Sequence, residues 1–80
     1  MESARAARAH KRAAVIKMDE LMETQNRFYN IWHDDSVSPD EQAVAFEEWR
    51  RAYDSMPAYW TQWYAANNYL CTLVRPRYYH

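Results

Sequence analysis

Not one of the eighty residues is glycine, and that absence constrains the chain more than anything it contains. Glycine supplies the positive-φ positions of tight β-hairpins and lets backbone approach a phosphate closely. A phosphate loop and a dinucleotide fingerprint are therefore excluded. Sheets built from short hairpins are disfavoured. Alanine, the best helix former, instead fills the first part at Ala4, Ala6, Ala7, Ala9, Ala13 and Ala14. An all-α fold is the expectation.

Three expected helices follow from spacing and start signals. Residues 2–33 read as helical throughout, with no proline to interrupt them. From residue 14 the apolar positions recur at intervals of three and four: Ala14, Met18, Leu21, Phe28 and Trp32, with one polar member, Gln25. Residues 34–38, Asp-Asp-Ser-Val-Ser, form a break. Ser38-Pro39-Asp40-Glu41 then places Ser at an N-cap, Pro at the first helical position and Glu at the third. A second helix from Pro39 to about Asp54 would carry the stripe Phe46, Trp49, Tyr53 and Met56. Pro57 removes a backbone donor and disfavours helical geometry at Met56, so a break is expected there. A third helix would run from residue 57 to about 74.

This reading gives a small up-down-up three-helix bundle. Its segments are a basic helical arm over 1–17, a bundle over 18–75 and an aromatic, basic tail over 76–80. An alternative is a long antiparallel helical hairpin kinked at Pro57. It is suggested because the 3-4 spacing 46, 49, 53, 56, 60, 63, 67, 70, 74 crosses the proline without a phase slip.

Charge divides the chain into blocks. Residues 1–17 hold five bases against Glu2, net +4; 18–54 hold ten acids against three arginines, net −7; 55–80 hold only Arg75 and Arg77, net +2. On a helix Arg5, Arg8 and Arg12 share one side with Lys11 at its edge, a stripe able to follow phosphates. Asp40, Glu41, Glu47 and Glu48 would present an acidic face to a basic partner.

Thirteen residues are aromatic, ten of them between Phe46 and Tyr79. Phe28, Trp32, Phe46, Trp49, Tyr53, Trp60 and Trp63 are the expected core. The directions of Tyr59, Trp60, Trp63, Tyr64 and Tyr69 cover most of a helix circumference, and so short a chain cannot surround one of its own helices. Tyr59, Trp63, Tyr64, Tyr69, Arg77, Tyr78 and Tyr79 are therefore the expected partner-binding aromatic face, because Tyr and Trp suit surfaces that are part apolar and part wet.

Chemical sites find little support. Cys71 stands alone, among Leu70, Leu73 and Val74, and reads as a small buried hydrophobe. It cannot found a disulfide framework or a cysteine-built zinc site. His33-Asp34-Asp35 are adjacent, a poor arrangement for converging on one ion. No catalytic residue, metal, cofactor or small-molecule substrate is expected. No run approaches a membrane span, and the first 17 residues lack the apolar segment of a secretory signal. An intracellular, cytoplasmic setting is expected. The functional expectation is a non-enzymatic helical protein–protein interaction module. It would act stoichiometrically, as a binding or inhibitory accessory protein or a subunit of a larger assembly, a type common among viral proteins. Its partner would be another protein or a second copy of itself. The alternative is nucleic-acid binding through Arg5, Arg8, Lys11 and Arg12.

Overall fold

The computed structural model describes residues 3–74 and contains two long helices packed together. α1 spans Ala4–Trp32 and α2 spans Pro39–Val74. Contacts of Lys11 with Asn67 and of Trp32 with Phe46 set them antiparallel and fix their register. The molecule is a flat hairpin of 61 × 24 × 14 Å.

Side-chain oxygens begin both helices. Ser3 Oγ accepts from the Ala6 amide at 3.1 Å, and Ser38 Oγ accepts from the Glu41 amide at 3.2 Å. Asp40 and Glu41 put negative charge in the first turn of α2, toward the positive end of its dipole. The connection turns back without glycine and without a positive φ among the described residues. His33 closes α1, its amide donating to the Tyr29 carbonyl at 3.0 Å. Asp34 then organises the turn. Its Oδ1 accepts from the Ser36 hydroxyl at 2.6 Å and the Ser36 amide at 2.9 Å, while its carbonyl accepts from Gln42 Nε2 at 2.8 Å. An Asx-type turn thus does the work glycine would do elsewhere.

These bonds favour the ionised carboxylate. The Ser36 hydroxyl, then the Ser36 amide, hold Asp34 below its ordinary pKa of 3.8. A lowered folded-state pKa means that this stabilisation is fully present above 3.8 and is lost as pH falls through the lower folded value. The Ser36 amide resonance is expected to move on acidification with a midpoint below 3.8. A midpoint at or above that value would show that the turn does not hold Asp34 in this way.

The expected three-helix bundle does not form. α2 runs through Pro57 as one helix, which is the two-helix arrangement of the hairpin alternative. Just before the proline, the Ser55 hydroxyl donates back to the Arg51 carbonyl one turn earlier, at 2.8 Å. Pro57 costs a mid-helix amide, nominally about 3 kcal/mol. Pro57 and Tyr53 are both exposed, so water can reach the Tyr53 carbonyl left without its donor. Trp49, Met56, Trp63 and Leu70 keep one seam position across the proline, and burying that seam in a single phase offsets the local cost.

The most deeply buried seam positions are held mostly by small residues. Ala7 and Ala14 of α1 are fully buried, and Ala45, Ala52 and Ala66 of α2 nearly so. Recurring at multiples of seven, these alanines let the two backbones approach closely. Residues 4–17 do not stand off as an arm; they continue α1 and pack along the far half of α2. Lys11 occupies a seam position there. Its Nζ donates to Asn67 Oδ1 at 2.9 Å and lies 5.3 Å from the Trp63 ring centroid. A polar residue at one such position costs stability but excludes slipped registers, which cannot pair it.

Candidate interaction surface

A two-helix hairpin has one seam and two broad sides, and here the sides differ. Heptad spacing puts Arg8, Val15, Met22 and Tyr29 of α1 in one row beside the seam. Phe46, Tyr53, Trp60 and Asn67 of α2 form the corresponding row. In an antiparallel pair these flanking rows share a side. The contacts agree: Lys11 reaches Asn67 and Trp32 reaches Phe46, each from the seam to that row. One broad side is therefore apolar and aromatic. The other is more polar: it carries His10, Lys17, Thr24, Glu41, Glu48 and Gln62 among its flanking residues, with Ile31 and Tyr69 in the same rows and exposed Val44 beside them.

The aromatic side holds two ring clusters. Near the turn, Trp32 contacts Phe46 at 4.7 Å and Trp49 at 5.5 Å between centroids, and Trp49 stacks on Tyr53 at 5.2 Å. Tyr29 and His33 extend this cluster, with centroids 4.2 Å apart. Toward the middle, Trp60, Trp63 and Tyr64 meet at 5.1–5.9 Å. These rings are held but not covered: Tyr29 is 48% exposed, Tyr53 56%, Trp60 43% and Tyr64 54%. Val15 and Met22 are exposed between them. No large side chain among the described residues is fully buried.

The expected site residues are distributed unevenly over this frame. Of the aromatic face, Tyr59 and Trp63 lie in the seam and, with Tyr69, are partly buried; Tyr64 is exposed on the aromatic side. Arg77, Tyr78 and Tyr79 lie outside the described residues. Of the acidic face, Asp40, Glu41 and Glu47 are exposed on the outer edge and opposite side of α2. Glu48 is partly buried and pairs with Arg51 at 3.1 Å. Arg5, Arg8 and Arg12 are exposed together on the aromatic side, and a shallow groove of about 430 Å³ runs between Arg8, Arg12, Val15 and Leu70. Lys11 lines the same groove, with its Nζ engaged across the seam by Asn67.

Two assignments change. Tyr53 and Trp60 were expected in the core, but alanines at 45, 52 and 66 take the seam positions and turn those rings outward. Cys71, expected to be buried, is exposed. Val15, Met22 and Tyr29 were not anticipated as surface residues. Their seven-residue spacing beside Ala7 and Ala14 was the available signal.

Charge is polarised along the long axis. The described part of the open end, residues 3–17 with 57–74, carries Arg5, Arg8, Lys11, Arg12 and Lys17 and no acid. The turn half holds all ten acids outside the N-terminus, with Arg27, Arg50 and Arg51. Among the described residues, no three His, Cys, Asp or Glu side chains gather as a metal site, and no helix is long and apolar enough to cross a membrane. Comparison with protein-family models, with curated proteins and with solved structures finds no match.

Proposed function

We propose that the chain is a non-enzymatic interaction module that works stoichiometrically by covering its aromatic side with a protein partner. One observation carries this reading. Exposed Val15, Met22, Tyr29, Tyr53, Trp60 and Tyr64 lie on a single broad side, while isolated monomers seldom expose apolar patches beyond a few hundred Å². Rings already packed against one another also lose little rotamer freedom when a partner covers them. The basic end supports the alternative of phosphate binding through Arg5, Arg8 and Arg12, for which steep salt dependence would be diagnostic.

A photo-crosslinking residue placed at Trp60 or Tyr53 of the full chain, in its native cells, tests the reading. Stoichiometric adducts to one defined protein species, this chain included, are expected from both positions. The same group at exposed Glu23, on the outer edge, should give none. Equal yields from all three positions, or adducts to nucleic acid instead of protein, would overturn the proposal.

A further inference from the structure

We propose that the occupant of the aromatic side is a second copy of this chain, laid on it end for end, so that two hairpins close into one four-helix bundle. The inference rests on the interaction reading above and names its partner. It begins with pattern width. A two-stranded helical pair needs apolar residues only at its seam positions. Here both helices carry a third apolar row, Val15, Met22 and Tyr29 on α1 and Phe46, Tyr53 and Trp60 on α2. Three apolar positions in seven are what a helix in a bundle carries, since it packs against two neighbours rather than one.

The α1 row and most of the α2 row are centred near one level. Arg8, Val15, Met22 and Tyr29 are disposed evenly about residues 18 and 19, and Tyr53 and Asn67 lie seven residues to either side of Trp60, with Phe46 beyond them. The register set by Lys11–Asn67 and Trp32–Phe46 puts Met18 level with Trp60. A two-fold axis across the hairpin at this level therefore serves both helices at once. It sets Val15 against Met22 of the other copy, Arg8 against its Tyr29 ring, and Trp60 against its own counterpart. Such self-complementarity is the condition for a closed two-fold interface, and an arginine over a tyrosine face is favourable.

Charge selects the orientation. Two hairpins stacked with turns together would superpose acidic half on acidic half and basic end on basic end. Inverting one copy lays Arg5, Arg8 and Arg12 over the turn half of the other at both ends; most of that half's acids lie on its outer edge and opposite side and attract them at longer range. The face has room for it: its 61 × 24 Å outline can hold the roughly 800 Å² per partner of a standard stable interface.

Sedimentation equilibrium of the purified full chain should give twice the 9.7 kDa chain mass. The double variant Met22→Glu/Tyr53→Glu should weaken association at least about 30-fold while circular dichroism keeps its helix. Raising salt should weaken the wild-type dimer only slightly, because the attraction between basic end and acidic half acts at longer range and is screened. Orientation is read from spin labels on Asp35→Cys in a Cys71→Ser background. Inverted copies put the two turns nearly the 61 Å length of the molecule apart. Turns found side by side, or a dimer indifferent to the double variant, would overturn the proposal. A chain that stays monomeric also overturns it. In that case crosslinks from Trp60 to a different protein would preserve the interaction reading, and their absence would remove both.

Discussion

Trp49→Ala is expected to lower stability by about 3 kcal/mol, the low end for deleting a large aromatic because the ring is only partly buried. Trp49 holds a central place in the turn-end cluster. Its ring lies 5.5 Å from Trp32 across the seam, 6.2 Å from Phe46 and 5.2 Å from Tyr53 on its own helix. Removing it breaks the aromatic bridge between α1 and α2 where the chain reverses, and leaves Trp32 with Phe46 alone among those partners across the seam. Small domains lose roughly 4–8 °C per kcal/mol, so a fall of more than about 12 °C in Tm should accompany the loss. The comparison must be made at one protein concentration, since association would add to apparent stability. A loss below about 1 kcal/mol, the usual size of a surface substitution or less, would mean that the cluster does not tie the helices together.

Ala14→Leu should cost about 2–3 kcal/mol for the opposite reason, too much volume instead of too little. Ala14 is 0% exposed. In the register set by Lys11 and Asn67 it lies against the turn of α2 holding Trp63 and Ala66. A leucine there must push the backbones apart or abandon a good rotamer, and either response loosens the contacts of Lys11 with Asn67 and Trp63. Ala9→Leu is the control. That position is exposed on the outer side of α1, so the change should stay within about 0.5 kcal/mol. Equal effects at both positions in urea denaturation would show that the alanine seam is not close-packed.

These two substitutions mark where sequence reasoning succeeded and where it failed. The α1 stripe Ala14, Met18, Leu21, Gln25, Phe28 and Trp32 was legible because large apolar residues mark most of it, and every member is buried or partly buried. In α2 the same method followed the largest side chains. It recovered Trp49, Met56, Trp63 and Leu70, one of the two seam rows. For the other it chose Phe46, Tyr53, Trp60 and Asn67 over Ala45, Ala52, Tyr59 and Ala66. Hydrophobic periodicity weights a position by the area it could bury. A seam of closely approaching backbones instead selects small residues, so Tyr53 and Trp60 were assigned to the core when they are exposed, while Phe46 is partly buried.

The sequence by itself determined the all-helical fold, the Ser38 start of α2, the reversal over residues 34–38 and the polar distribution of charge, because propensity, capping and net charge act over a few residues. Only the tertiary structure decided the fate of Pro57. Local chemistry argues for a break there, and the cost of keeping the helix is recovered tens of residues away, along a seam with α1 that no local window contains. Tertiary packing likewise decided that the basic first turns would lie along α2 and that Lys11 would face Asn67. It also turned Tyr53 and Trp60 outward. Which of two adjacent rows faces the partner helix depends on how closely the backbones can pack, and that distance is a property of the pair.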